Sequence, residues 1–324
     1  MNARLTAALA ALSFIGCAAA VPVMAQTYPS KPIRLVAGYV PGGGADNVSR
    51  LFAVKLAEVL GQQIVVDNRP GANGVIAAEL VSKSPKDGYT LHIVTSSHAI
   101  NPIVYSKLPY DTIKDFTTIS ELAIAALIMV VHPSQQMGSV SDFIALAKAK
   151  PGQLQYASAG LGNITQLAAE LLSSMAGIKL LHVPYKGSGP AIIDLMADRV
   201  SVYFPPLPSG LPHVRAGKLK ALAVTGSKPS LAAPGIPTIA QSGLAGYEAG
   251  SWYGLVAPPG IPSNIVGQLN AAVLKVLQSA DMQERMKSQG LDAIGSSPAE
   301  LETKVKNELA KWRRVFQAAN IKME

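Results

Sequence analysis

Residues 33–60 have the sequence IRLVAGYVPGGGADNVSRLFAVKLAEVL, and this stretch decides the fold. The apolar run 33–38 predicts a buried strand, and the apolar periodicity of 48–60 predicts a helix. Three glycines between them let the chain turn sharply and approach a ligand closely, and Asp46 is a candidate N-cap. Free amide N–H groups and the positive end of the helix dipole then face the loop 39–46, which predicts an anion site there.

Strand-like and helix-like stretches alternate along the rest of the chain, which predicts an α/β protein with parallel sheets covered by helices. A second strand, glycine loop and helix at 154–175 repeats the pattern of 33–60 and indicates one such module in each of two domains. The stretch 228–243 is rich in Pro, Gly and Ser and predicts a surface loop. The other predicted strands are 64–66, 89–95, 127–131, 181–183, 200–204, 219–225 and 252–256. The other predicted helices are a run that follows Gly74 and ends at Val81, which gives a βαβαβ order over 33–95, and 141–150, 191–197, 265–277 and 298–318.

The length of 324 residues is enough for two domains. We expect domain 1 to comprise 26–130 and 250–324, and domain 2 to comprise 131–249. Each domain is expected to hold a mainly parallel sheet flanked by helices. The C-terminal helices are expected to lie on domain 1.

The first 25 residues have a basic start, an apolar run and a small-residue end at Ala25, which predicts a secretory signal peptide. A rival cut before Cys17 would make a lipoprotein. Cys17 is the single cysteine, so a cut after Ala25 leaves no disulfide, thiol nucleophile or cysteine metal site.

The formal net charge is +8, which attracts anions. The lysines and arginines are dispersed, so nucleic acid is not an expected partner. No G-x-S-x-G elbow, H-E-x-x-H motif or metal-ligand spacing is present. We therefore expect no catalysis, no metal and no cofactor.

Ligands of open α/β sheets bind beyond the carboxyl ends of the strands. Four loops follow predicted strands, at 39–46, 95–98, 158–163 and 184–189. If the two domains face each other, helix N-termini from both sides meet the two ends of one dicarboxylate. The candidate ligand-binding residues are Tyr39, Val40, Pro41, Gly42, Gly43, Gly44, Asp46, Ser96, Ser97, His98, Ser158, Ala159, Gly160, Asn163, Thr165, Gln166, Pro184, Tyr185, Lys186, Tyr203 and Phe204.

Each of these groups also has a purely structural interpretation. The glycine loop could be only a tight strand-to-helix connection. His98 could be a satisfied core histidine, Lys186 a surface lysine, and Tyr203 with Phe204 part of a core. A dinucleotide-dependent enzyme is a further alternative, because Gly42 and Gly44 form G-x-G and Asp67 follows at a plausible distance for a ribose contact. The third glycine of that fingerprint is replaced by Asn47.

Several motifs resemble a known family, the extracytoplasmic solute receptors of tripartite tricarboxylate transporters, also called Bug receptors. The resemblance covers almost the whole mature chain and rests on YPSKPI (28–33), PGGGAD (41–46), VDNRPGANG (66–74), KDGYT (86–90), HAINP (98–102), YASAG (156–160), HVPYKG (182–187) and GKL (217–219). It implies a type II-like periplasmic binding protein of two α/β domains joined by a hinge, which closes on a small carboxylate. It also implies transient delivery to membrane transporter subunits, and carboxylate contacts from 39–46 and 158–162.

Two departures from the family pattern bear on the ligand. Gln166 stands where the family often has a histidine, and Arg199-Val200-Ser201 stands where an aspartate is common. Loss of that acid weakens a site for a ligand amine and favours a dicarboxylate or an aromatic acid. We therefore expect a monomeric, non-enzymatic receptor for an organic acid. A sensor that contacts a signalling receptor instead of a transporter is the alternative use of the same fold.

Overall fold

The computed structural model describes residues 28–319. The expected leader 1–25, with Cys17 and Ala25, lies outside the described residues. In chain order, the strands and helices are β1 Ile33–Ala37, α1 Gly44–Leu60, β2 Ile64–Asn68, α2 Val75–Ser82, β3 Thr90–Thr95, α3 Ser97–Val104, β4 Thr117–Ala126, β5 Ile128–Val131, α4 Val140–Ala149, β6 Gln155–Ser158, α5 Ile164–Ala176, β7 Leu181–Pro184, α6 Ser188–Met196, α7 Leu207–Arg215, β8 Lys220–Val224, β9 Gly250–Ala257, α8 Ser263–Gln278, α9 Ala280–Gln289, β10 Leu291–Ala293 and α10 Pro298–Ala319.

The first lobe is built on a six-stranded sheet with the order β10-β4-β9-β3-β1-β2. Strand β1 pairs in parallel with β2 and with β3, as the predicted βαβαβ order requires. Strand β9 is antiparallel to both β3 and β4, because the chain re-enters this sheet from the other lobe. The sheet is therefore mixed, and the parallel arrangement holds for three of its six strands.

The second lobe contains a parallel pair, β6 with β7, and an antiparallel pair, β5 with β8. The segment 200–204, predicted as a strand, forms only isolated bridges, from Tyr203 to Val130 and from Val202 to Tyr156. These bridges connect the two pairs. The α/β class is confirmed, with helices packed on both lobes.

The chain passes between the lobes at two neighbouring places, leaving the large sheet after Ala126 and returning to it at Gly250. Thr225 ties these segments together. Its Oγ1 accepts a hydrogen bond from Leu127 N at 2.8 Å, and its carbonyl oxygen accepts one from Ala249 N at 3.0 Å. Two adjacent crossings give the lobes a hinge about which they can rotate.

Helix α10 packs against both lobes. Leu301 and Val305 belong to a core cluster of the first lobe, whereas Trp312 and Phe316 belong to the main core of the second. The first half of α10 thus lies on the first lobe as expected, but the second half spans the hinge. Within residues 28–319, no helix has both the length and the apolar character needed to cross a membrane.

Helix α1 illustrates how the sequence produces the local fold. Val48, Phe52 and Leu56 recur at every fourth position and are buried in the first-lobe core. The helix begins at Gly44, because Gly43 is extended with φ −80° and ψ 167°. It ends at Gly61, which has the left-handed φ of 68° that favours glycine.

Candidate functional site

A narrow cavity of about 30 Å³ lies between the lobes. The first lobe contributes residues from the glycine loop, from β3 and from β9. The second lobe contributes residues from the turn before α5 and from the starts of α6 and α7. The lining residues are Tyr39, Gly43, Gly44, Ala45, Thr95, Ser251 and Tyr253 from the first lobe, and Ala159, Asn163, Ile164, Thr165, Ser188 and Pro206 from the second.

Four helix N-termini meet at this cavity. Gly44 begins α1, Ile164 begins α5 and Ser188 begins α6, while Pro206 directly precedes α7. Within the described part of the chain, the amides of Gly44, Ala45 and Ile164 make no hydrogen bond. Because an N-terminus carries partial positive charge, the four together favour an anion.

None of the thirteen lining residues carries a formal charge. An anion in the cavity would therefore be held by neutral donors and helix dipoles rather than by an ion pair. Such donors form charge-assisted hydrogen bonds to an anion, and they are held in place more rigidly than the ammonium group of a lysine side chain.

A polar network on the first lobe forms one wall of the site. The Tyr39 hydroxyl donates to Ser97 Oγ at 2.9 Å and lies 2.8 Å from Asn73 Oδ1. Burial raises the pKa of Tyr39, against hydrogen bonds with Ser97, Thr95 and Asn163 that lower it. The phenol is thus neutral at physiological pH, and its proton is already shared with Ser97 and Asn73.

Asn163 joins this network from the second lobe. Its Nδ2 donates to Asn73 Oδ1 at 2.9 Å and lies within 3.3 Å of Tyr39 Oη and Ser97 Oγ. Its Oδ1 accepts from Thr165 N at 3.0 Å and so caps α5. One side chain therefore caps a helix and bridges the lobes.

Asp46 is not the N-cap of α1, which corrects the expectation from the sequence. The helix begins two residues earlier, so Asp46 lies in its first turn and accepts from Gly42 N at 3.0 Å. Burial acts to raise the pKa of Asp46, but hydrogen bonds from Arg50, Gly42 and Asn68 hold it below its usual value. Asp46 therefore locks the shape of the glycine loop and does not line the cavity.

The glycine turn of the second lobe uses most of its own amides internally. Ala159 N donates to Thr165 Oγ1 at 2.8 Å, and Gly162 N donates to Gln166 Oε1 at 2.7 Å. Gly160 N donates to the Ser158 hydroxyl at 3.2 Å. The turn 158–162 is implied by the resemblance to contact a carboxylate, but these three of its backbone amides already donate to side chains of the same segment.

Ser158 is buried and does not line the cavity. Its hydroxyl lies 2.6 Å from His182 Nε2, and the His182 ring stacks on Tyr156. Burial lowers the pKa of His182 to about 4, so the imidazole is neutral at physiological pH. The Ser158–His182 contact thus holds the end of β6 against β7.

Other candidates of the first lobe lie outside the cavity. Val40 contacts Gly187 across the lobes: a Cβ built on Gly187 would lie 3.0 Å from Val40 Cγ2. Pro41 meets Gly189 in the same way, through its carbonyl oxygen. Ser96 Oγ accepts from Trp252 N at 3.0 Å. His98 packs with aromatic rings, and burial lowers its pKa to about 3.

The candidates at 184–186 and 203–204 also lie outside the cavity. Pro184 and Lys186 are exposed. The Tyr185 hydroxyl donates to Asp194 at 2.8 Å. Phe204 belongs to the second-lobe core, whereas Tyr203 acts indirectly, because its buried hydroxyl donates to Ser188 Oγ at 2.8 Å and positions that residue at the cavity.

Seven lining residues are absent from the candidate residues, although Ala45, Thr95 and Ser188 lie within the predicted loops 39–46, 95–98 and 184–189. Pro206 could have been found as well, since proline in the first turn is a helix-start signal and α7, which follows Pro206, has Pro208 in its first turn. The strand β9 carried no such signal, because its pattern predicts only burial. The seven are Ala45, Thr95, Ile164, Ser188, Pro206, Ser251 and Tyr253.

Asp67, which the dinucleotide alternative requires for a ribose contact, does not line the cavity. Asp67 forms ion pairs with Arg34 and Arg69 beside a surface groove at the β2 edge. Within residues 28–319, no cluster of His, Cys, Asp and Glu side chains is suited to hold a metal ion.

Known proteins that resemble this chain include carboxylate receptors, in agreement with the geometry of the cavity. Residues 48–321 match the model of the tripartite tricarboxylate transporter family receptor, TctC. Protein BugT of Bordetella pertussis is 34% identical over 307 residues, which cover 94% of each chain.

Two solved structures of Rhodopseudomonas palustris proteins share the fold. Rpa4515 with adipate has a TM-score of 0.90 and 38% identity, and the alignment covers 92% of this chain and 100% of that one. MatC with bound malate has a TM-score of 0.84 and 30% identity, with 89% and 99% covered. From the family match, the two facing lobes and the shared fold, it follows that this chain belongs to the TctC family of periplasmic solute-binding receptors, the Bug proteins.

Proposed function

We propose that this receptor binds a small dicarboxylate in the cavity between its lobes and delivers it to the membrane subunits of a tripartite transporter. The observation that carries the proposal is the convergence of four helix N-termini, one from the first lobe and three from the second, on a cavity without charged side chains. A ligand with a carboxylate at each end satisfies donors on both lobes at once.

The same lining argues against an amino acid as the ligand. An α-ammonium group would need an acidic partner, and the nearest acid of the glycine loop, Asp46, is already occupied by Arg50 and Asn68. The adipate and malate bound by the two relatives are both dicarboxylates without an amine. We therefore favour a diacid over an amino diacid such as aspartate.

Binding couples to lobe movement in this proposal. A cavity of about 30 Å³ holds about two water molecules, which is less room than a diacid needs. The lobes must separate at the Thr225 hinge to admit the ligand, and the ligand then stabilises a closed form by bridging both walls. The closed form is the one offered to the transporter.

Thermal unfolding of residues 26–324 in the presence of adipate, malate, aspartate, benzoate and adipamide tests the proposal. A ligand that binds only the native state raises the Tm. We expect adipate or malate to raise it and adipamide, the uncharged isostere, to leave it unchanged. A Tm that adipamide raises as much as adipate, or that no acid raises, would overturn the carboxylate assignment. A response to benzoate alone would replace the diacid with an aromatic acid.

A further inference from the structure

Tyr253, on β9, differs from the other fully buried tyrosines. Four tyrosines are fully buried in the described structure, and three of them have hydroxyl partners: Tyr156 donates to Glu170, Tyr203 to Ser188, and Tyr247 to the carbonyl of Ala168. Tyr253 is 1% exposed, and within residues 28–319 its hydroxyl has no hydrogen-bond partner. Buried tyrosine hydroxyls normally have one, so this group calls for an explanation.

The hydroxyl lies at the wall of the cavity, against the first turn of α1. A Cβ built on Gly44 would lie 2.5 Å from Tyr253 Oη and 3.3 Å from Pro206 Cβ and Cγ. The unpaired amides of Gly44 and Ala45 are at the same place. The Ser251 hydroxyl is close but does not meet hydrogen-bond geometry with it. A phenol, a helix N-terminus and a wall from the second lobe thus meet at one point.

The chemistry of this point determines what it can accept. The α1 amides can only donate, so a ligand atom shared with them must be an acceptor. Burial raises the pKa of Tyr253, so the phenol stays protonated and can also donate. A carboxylate oxygen accepts from all of these groups, whereas an amide nitrogen or an ammonium group could donate to the phenol oxygen but would leave the α1 amides without an acceptor.

We propose that Tyr253 is a specificity-determining residue whose hydroxyl donates to the ligand carboxylate held at the start of α1. This inference rests on the proposed function and adds a side-chain donor to the backbone donors there. It explains why the hydroxyl is buried without a protein partner: its partner is the ligand. It also explains glycine at position 44, since any side chain would displace the phenol from the helix N-terminus.

The test compares Tyr253→Phe with the matched control Tyr247→Phe by titration calorimetry with adipate or malate, whichever the wild type binds, and by thermal unfolding. Tyr253→Phe is expected to weaken binding about 10- to 100-fold, the usual effect of losing a hydrogen bond to a charged group. The Tm of the ligand-free variant is expected to equal or exceed that of the wild type. Tyr247→Phe should do the reverse, with a lower Tm and a Kd within twofold of wild type.

The outcomes separate the two proposals. A Kd that is unchanged in Tyr253→Phe overturns this inference and leaves the proposed function standing. A ligand-free Tm that falls as far as in Tyr247→Phe overturns it as well, because the hydroxyl would then have a structural partner. A wild type that binds neither acid overturns the proposed function, and this inference with it, before any variant is measured.

Discussion

Replacing Gly44 with alanine tests how closely the two lobes meet at the cavity. Gly44 has no left-handed φ, so alanine is allowed by its backbone. The added Cβ would lie 2.5 Å from Tyr253 Oη, at the end of a rigid buried ring. It would also lie 3.3 Å from two carbons of Pro206, which belongs to the other lobe.

The two contacts have different consequences. The Tyr253 clash is present whether the lobes are open or closed, and overpacking of this kind costs about 1–3 kcal/mol of folding stability. The gain in helix propensity from Gly to Ala, up to about 1 kcal/mol, offsets part of it. The Pro206 contact exists only when the lobes approach, so it penalises the liganded form. At about 1.4 kcal/mol per factor of ten, we expect Kd to rise at least tenfold.

Gly267→Ala is the matched control, a glycine inside helix α8 that does not line the cavity. It is exposed, its φ is not left-handed, and, apart from its chain neighbours and its own helix backbone, no heavy atom lies within 4 Å of the built Cβ. Calorimetry with adipate or malate should show a Kd within threefold of wild type for Gly267→Ala. If Gly44→Ala binds as tightly as Gly267→Ala and unfolds at the same urea concentration, the proposed closure around Gly44 is wrong.

Three further predictions address the network, the loop and the pH response. Asn163→Ser keeps an oxygen to cap α5 but loses the amide that bridges to Asn73, so we expect a larger radius of gyration at subsaturating ligand by X-ray scattering. Asp46→Ala removes the carboxylate that accepts from Gly42 N, Arg50 Nε and Asn68 Nδ2 and should lower the free energy of unfolding in urea by about 1–3 kcal/mol. Burial lowers the pKa of His92 from 6.5 to about 4, so the unfolded chain binds a proton that the folded chain does not. Its contribution to stability is therefore complete above pH 6.5 and falls by up to about 3 kcal/mol towards pH 4.

Each of these has a clear contrary result. A scattering profile of Asn163→Ser identical to wild type at every ligand concentration would show that the bridge does not hold the lobes. Asp46→Asn is the control for Asp46→Ala, since it keeps an acceptor for Gly42, and equal losses in both would assign the effect to charge alone. His92→Gln should reduce the pH dependence of the unfolding free energy between pH 6.5 and 4 without abolishing it, because burial also lowers the pKa of His98 and His182, and an unchanged slope would exclude His92 as a source.

The first strand, glycine loop and helix could be predicted because their signals are local. Apolar runs specify the burial of β1 and the face of α1, and glycine alone tolerates the close approach at Gly44. The predicted start of α1 is too late, because Asp46 has the side chain of a typical N-cap but lies within the first turn of the helix. Such errors arise because the start of a helix depends on backbone angles, and the actual N-cap, Gly43, has no side chain that could mark it.

The site residues of the second lobe were harder to predict. Their loops all follow strands, but the side chains in these loops point in different directions. Ser158 follows β6 as predicted, yet its hydroxyl faces His182 of the neighbouring strand rather than the cavity. Helix α7 was missed because its Pro-Gly-rich sequence resembles a loop. Its position opposite α1 is supported by Asn47 Nδ2, which donates to the Pro208 carbonyl at 3.1 Å.

The sequence by itself determined the α/β alternation, the glycine loop at the start of α1 and the family to which the chain belongs, since each depends on residues close together in the chain. Only the tertiary structure decided which donors share the cavity. Tyr253 and Gly44 are more than 200 residues apart in the printed sequence, and they meet because β9 returns from the second lobe to pair beside β3. Contacts across such separations depend on strand order and lobe orientation, which no local pattern specifies.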